Sequence, residues 1–264
     1  MRKTGRSRAL TETIPKTVLI TGAARRMGRA MAEYLAAQGF AIGIHARSSM
    51  SEAEEFANEL RQKGGEAVAL QADLENAVST ENLMKAANSA LGPIGILVNN
   101  ASVFRHDAAE EFDSAAFDAH FAVHVRAPSI LGAALVRQLP DSASGLIVNV
   151  VDQRVLALTP RFYSYTLSKS AMWTATKTMA QSFAPRVRVN AIGPGPSFKS
   201  ERQEPEHFQA QIDALILKRG PQPEEFGRTI RFLYDTPSIT GQMIALDGGQ
   251  HLSWETPDVA EIPE

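Results

Sequence analysis

Tyr165 and Lys169 stand four residues apart, and Asp152 lies thirteen residues before the tyrosine. Four residues is about one helical turn, so the phenol and the amine share a helix face. An ammonium beside a phenol favours the phenolate, which predicts a lowered tyrosine pKa and a proton donor usable near neutral pH. Taken alone, the pair is also readable as a solvated surface pair. The surrounding elements must decide.

Those elements alternate. Apolar runs at 17–20, 40–44, 67–70, 94–98, 145–151, 186–191 and 242–246 read as strands. Helical patterning fills 26–38, 51–62, 79–91, 112–139, 161–183, 206–217 and 224–234, with Ser51 and Glu54 placed for a capping box. Strands that are continuously apolar predict parallel pairing covered on both faces, and right-handed crossovers make the sheet doubly wound. Pro128 is expected at a helix start or kink. No composition break marks a second domain.

The first strand ends in Thr21-Gly-Ala-Ala-Arg-Arg-Met-Gly28, so Gly22, Arg25, Arg26, Met27 and Gly28 enter the first helix. Glycines there let backbone approach a pyrophosphate, and the helix N-terminus adds N–H groups and positive potential. A middle glycine is expected where Arg26 stands. The second strand runs into His45-Ala-Arg47-Ser48, with no carboxylate before Glu52 to hold a ribose hydroxyl. Arg25 and Arg47 suit a 2′-phosphate instead, so the pattern favours NADP(H) over NAD(H). Solvated surface charge is the alternative. Asp73 and Leu74 are placed for an adenine edge. Asn99-Asn-Ala101-Ser102 leaves the fourth strand where ligands bind in such sheets.

Composition removes several function classes. Hydrophobic residues make up 44% and charged residues 21%, with a net charge of −2, so no strong field draws nucleic acid or an anionic membrane. There is no cysteine, hence no thiolate catalysis and no Cys-ligated zinc, and a reducing compartment fits. No metal site is expected. No apolar run reaches the roughly 18 residues of a membrane span. Arg2, Lys3, Arg6, Arg8 and Lys16 face only Glu12, which reads as a disordered basic tail over 1–15; the domain is expected at 16–250 and a C-terminal tail with Trp254, a candidate subunit contact, at 251–264.

From Lys16 to Gln250 the chain resembles the short-chain dehydrogenase/reductases. The matching residues are Thr21-Gly22 through Gly28, Asp73, Asn99-Asn100-Ala101, Tyr165 with Lys169, Arg188-Val-Asn190 and Pro194-Gly195. The resemblance implies a single-domain α/β Rossmann-type fold, doubly wound around a seven-stranded parallel sheet. It also implies a cytoplasmic homo-oligomer, dimer or tetramer, acting on a small molecule. Tyr165 would be the acid/base, and Lys169 would lower its pKa and hold the nicotinamide ribose.

Two positions depart from that family. Asp152 replaces its usual serine, and His124 replaces a helix asparagine that normally holds a water on the lysine; His124 could serve instead or simply pack. A carboxylate would repel a developing alkoxide, so Asp152 is expected either protonated or paired with an amino-bearing substrate. The pteridine reductase branch shows this pattern. It is similar at the Arg25-Arg26 pair, at Asn99-Asn-Ala-Ser-Val-Phe104, at Val150-Val-Asp152 and at Gly193-Pro-Gly-Pro-Ser197. By that resemblance Arg26 reaches pterin and cofactor phosphate, Phe104 stacks the pterin, Asp152 delivers a proton with Tyr165, and Ser197 meets the cofactor. A carbonyl reductase or alcohol dehydrogenase of other substrate is the alternative; a catalytically weak NADP(H)-binding sensor is a further one. Residues 198–217 are expected to close over the substrate as a lid.

Overall fold

The computed structural model describes residues 13–199 and 204–254. Its strands are β1 (Thr17–Ile20), β2 (Ala41–Ala46), β3 (Ala67–Gln71), β4 (Ile96–Asn99), β5 (Gly145–Val150), β6 (Val187–Pro194) and β7 (Met243–Leu246). They form one parallel sheet in the order β3-β2-β1-β4-β5-β6-β7. The strand order reverses between β1 and β4. There a crevice opens at the carboxyl edge, with the glycine turn on one side and Asn99 on the other.

Alternation along each strand explains the two layers. Val18, Ile20, Ile42, Ile44, Ile96 and Val98 point to one face, onto α1 (Arg26–Ala37), α2 (Met50–Gln62) and α8 (Pro223–Asp235). Leu19, Leu97 and Ile147 point to the other, onto α3 (Ala77–Leu91), α5 (Ala127–Gln138) and α6 (Tyr163–Phe183). Core burial of Phe40, Phe56 and Phe226 closes the first layer.

The helix carrying Tyr165 is positioned by its own stripe. Tyr165, Ser168, Lys169, Met172, Thr176, Met179 and Ala180 recur at three- and four-residue spacing and are buried. Burial of Met172 and Met179 therefore fixes where Tyr165 and Lys169 point. α4 (Ser114–Phe121) and α5 are joined by a wide π turn at Ala122–Arg126, which carries His124. This continuous stretch, Ser114–Gln138, is long and apolar enough to cross a membrane by length and composition alone; most of it is buried inside the fold, as a core helix is.

Several expectations are corrected. Ser51 lies inside α2, whose N-cap is Ser49, and no side-chain cap forms there. The capping box is at α8, where Gln222 and Glu225 bond reciprocally. The helix expected at 206–217 is α7, Pro205–Asp213. Residues 13–15 are not a tail: Thr13 pairs with Ala143, and Ile14 packs on the core. The remaining basic residues at 1–12, and 255–264, lie outside the described residues.

Candidate active site

The Tyr165 hydroxyl donates to Asp152 Oδ2 at 2.8 Å. Asp152 Oδ1 accepts from the backbone N–H of Arg154 at 2.9 Å, and the Arg154 guanidinium lies 3.9 Å from Oδ2. These are the contacts of an acceptor. Lys169 Nζ donates to the Val150 carbonyl at 2.9 Å and lies 5.6 Å from the Tyr165 ring. Burial lowers the Lys169 pKa to about 8, against a smaller opposing pull from Asp152.

The tyrosine departs from the expected chemistry. Burial, then the Asp152 charge and the bond to it, push its pKa well above the ordinary value. The expectation of a lowered pKa fails because the phenol is packed out of water and donates to a carboxylate. Arg154 and a hydroxyl from Ser102 pull the other way. Tyr165 is thus held as a neutral phenol, the form that can give a proton.

Phe104 covers this centre, with its ring edge-on to Tyr165 at 4.8 Å and against Phe162 at 4.5 Å. It is 45% exposed, so its outer surface is open to a flat ligand. Arg154 lies over both rings. Asp107, which nothing in the sequence singles out, fixes the Phe104 loop: its buried carboxylate accepts from the Ser164 amide at 3.0 Å and from the Ser164 hydroxyl, capping α6 from 57 residues away. Phe162 precedes α6 at φ 60°, a strained value for an aromatic residue.

The glycine turn fits a pyrophosphate. A Cβ on Gly28 would lie 2.3 Å from the Gly22 carbonyl, so only glycine lets the chain pass so closely. The N-terminus of α1 has no side-chain cap at Arg25 and no acid in its first turn, so its positive end is not offset by a carboxylate of its own. Asn100 Nδ2 holds the Thr21 and Gly22 carbonyls at 2.8 and 3.0 Å. His45 accepts from the Gly22 N–H at 3.0 Å and meets the Ala72 carbonyl at 3.1 Å, so it ties the turn to the ends of β2 and β3. Asn100 and His45 both stand inside motifs the sequence made visible, yet neither was expected to act.

Arg26 occupies φ 52°, the left-handed region the missing glycine would fill. Its guanidinium donates to the Phe198 carbonyl at 3.1 Å, at the base of the expected lid. Arg25 grips Glu52. Arg47 bonds Glu75 at 2.6 Å and lies 3.7 Å from Asp73. Both arginine side chains are more than half exposed, so these pairs are weak and exchangeable for a phosphate. Ser48 is exposed beside them, and Met27 packs partly on the core. Asp73 accepts from the Glu75 amide at 3.0 Å, and Leu74 is buried, leaving only its backbone for a ligand.

Across the crevice, the Ala101 amide bonds Thr21 Oγ1 at 2.9 Å. The Asn99 side chain donates to Asn149 Oδ1 at 2.8 Å. Ser102 Oγ lies 2.9 Å from His124 Nε2. Past β6, which ends at Pro194, the Gly195 amide bonds Leu246 O at 2.9 Å and Ser197 Oγ bonds Gly195 O at 2.9 Å. His124 has no free nitrogen. The Val103 N–H donates to Nε2 at 3.2 Å, so Nδ1 carries the hydrogen and donates to Ser168 Oγ at 2.8 Å. Burial and the Lys169 charge hold its pKa well below the usual value.

With this geometry established, comparison with known proteins gives a consistent result. Residues 16–207 match the family described as short chain dehydrogenase. A 3-oxoacyl-[acyl-carrier-protein] reductase of Synechocystis sp. is 31% identical over 244 residues, covering 91% of this chain and 98% of that protein. A dihydromonapterin reductase of Klebsiella pneumoniae is 28% identical, covering 92% and 100%. Among solved structures, FolM Alternative dihydrofolate reductase 1 from Brucella canis, complexed with NADP, is 53% identical with a TM-score of 0.90, covering 92% of this chain and 96% of that one.

Proposed function

The chain belongs to the short chain dehydrogenase family, and from that premise we propose that it reduces a pteridine, at a C=N bond, with NADPH. It is an NADP(H)-dependent oxidoreductase. The observation that carries the substrate is the 2.8 Å bond from Tyr165 to Asp152 beneath Phe104. A carboxylate can accept from the amino and ring N–H groups of a pterin, which a ketone does not offer. The FolM and dihydromonapterin reductase likenesses support the same class.

The amides of the glycine turn and of the α1 N-terminus would hold the pyrophosphate. Arg25, Arg47 and Ser48 would hold the 2′-phosphate, and Asp73 with the Leu74 backbone the adenine. Ala101, Ser102, Pro194, Gly195 and Ser197 would line the nicotinamide half, with Lys169 on its ribose. When bound, the nicotinamide supplies hydride. Phe104 covers the flat ring from water, Arg26 reaches it from the turn, and Asp152 orients it. Tyr165 Oη gives its proton to the ring nitrogen that becomes N–H.

Reduction of a simple carbonyl is the second reading, supported by the likeness to a 3-oxoacyl reductase. Asp152 opposes it, since a carboxylate repels a forming alkoxide. We further assign the enzyme to the cytoplasm, as one domain over 16–250 that works as a homo-oligomer.

The test is NADPH oxidation against dihydropterins, quinonoid compounds and simple carbonyls, repeated with NADH. Turnover is expected with dihydropterins, and NADPH should be favoured at least tenfold, about the value of one charge-assisted bond. Turnover confined to carbonyls would overturn the substrate; equal use of NADH would overturn the role of Arg25 and Arg47.

A further inference from the structure

The two amides that flank Phe104 both end on histidines. The Val103 N–H donates to His124 Nε2 at 3.2 Å, and the Arg105 N–H donates to His120 Nε2 at 3.1 Å. One imidazole belongs to the last turn of α4 and the other to the wide turn that follows. Their rings stack with centroids 5.6 Å apart and planes 18° from parallel. Both also meet the Tyr165 ring edge-on, at 5.9 and 5.4 Å, as Phe104 does at 4.8 Å. The Arg105 guanidinium adds a bond to the Ala115 carbonyl of α4 at 3.4 Å. The loop that carries the covering ring is therefore pinned to α4 and the wide turn by acceptors.

The two histidines are not equivalent. His124 has a partner on each nitrogen. His120 accepts through Nε2, so its hydrogen sits on Nδ1, and Nδ1 is buried with no partner among the described residues. Buried polar groups are as a rule paired. What this imidazole gives the fold is one acceptor, spent on Arg105. Only the neutral ring can supply it, because a second proton makes both nitrogens donors and sets one N–H against another. Burial opposes that proton most. Asp107 in the loop and Asp113 at the α4 N-cap favour it, while Arg105 and Lys169 oppose it. Tyr165 and His124 face the ring without charge. The balance keeps the His120 pKa below the usual histidine value, so the acceptor is present at neutral pH.

We propose that neutral His120 is a positioning residue for Phe104: its Nε2 holds the Arg105 amide, and protonation of the ring releases the loop. The hold on the loop does not depend on the substrate. Only its effect on the Michaelis constant rests on the pteridine reading.

Amide hydrogen exchange, read by mass spectrometry over residues 103–107, tests the hold without turnover. In wild type, protection corrected for the intrinsic rate should fall between pH 7 and about 4.5. His120→Phe keeps a stacked ring and removes the acceptor; protection should drop about three- to tenfold at pH 7, the scale of one hydrogen bond. His120→Gln offers an uncharged carbonyl at similar reach, so protection should return and no longer fall with acid. The Michaelis constant for dihydropterin should rise in His120→Phe, with kcat less changed, and recover in His120→Gln. Equal protection in wild type and His120→Phe overturns the positioning role. Faster exchange with an unmoved Michaelis constant overturns the consequence for Phe104. Wild-type protection that is flat with pH, or that falls equally in His120→Gln, overturns the acid release. Should His120→Phe not fold, wild type against His120→Gln decides.

Discussion

At the scale of single residues, two groups of opposite habit share one stripe of helix. Tyr165 is held neutral by burial and Asp152, while Lys169 is pushed to about 8 by burial. Asp152→Ser removes the charge that helps raise the phenol and leaves only a neutral hydroxyl to bond it. The phenol pKa should fall, read by ultraviolet titration, and dihydropterin reduction should drop about 10²-fold, the scale of one acid/base contribution. An unchanged rate would detach Asp152 from the chemistry. Lys169 carries a stability cost as well. Below pH 8 it is charged in both folded and unfolded chains, and the full penalty of burying the charge applies, on the order of 3 kcal/mol. Above about 10.5 it is neutral in both and the penalty is gone. Lys169→Met should therefore be more stable than wild type at pH 7, by about 1–3 kcal/mol in denaturant melts, and the gap should shrink between pH 8 and 10. A gap that grows over that range would reverse the assignment. The Tyr165/Lys169 spacing is a weak pattern by itself; its place after the fifth strand and the family resemblance single out this centre and Asp152. The sign of the tyrosine shift was not legible, because desolvation depends on packing that no four-residue pattern contains.

The elements show the same division. Parallel pairing and two covering layers follow from the apolar runs and turns, whereas the strand order, with its reversal between β1 and β4, is read only in the fold. What escaped were contacts between segments far apart in sequence: Asp107 with Ser164, His45 with Gly22, Asn149 with Asn99. Each joins the end of one element to another, and an isolated Asp or Asn carries no sign of its partner. Arg26 shows where a local rule is broken for a purpose, an arginine at φ 52° where glycine would rest without strain. Arg26→Gly should leave thermal stability unchanged or raise it by up to about 1 kcal/mol, since relief of left-handed strain is partly offset by a freer unfolded chain. The Michaelis constant for dihydropterin should rise in the same variant. A loss of stability would mean that the guanidinium contacts with Phe198 outweigh the strain.

For the whole molecule, the exposed apolar side chains remain to be covered. Phe112, Leu158, Ile216, Leu217, Leu252 and Trp254 stand open to solvent, the last at 74%. We expect a second copy to cover part of this surface, and sedimentation at micromolar concentration to give a dimer or tetramer; a monomer would remove that expectation. The wide turn at Ala122–Arg126 has a different consequence, written in the gene rather than the assembly. A regular helix advances about 100° per residue, so losing one codon anywhere else in 114–138 would swing all that follows onto a wrong face. Within the wide turn a surplus residue is already looped into the coil. A one-codon loss there would leave both flanking helices in phase and sacrifice only His124 and its wall of the cleft.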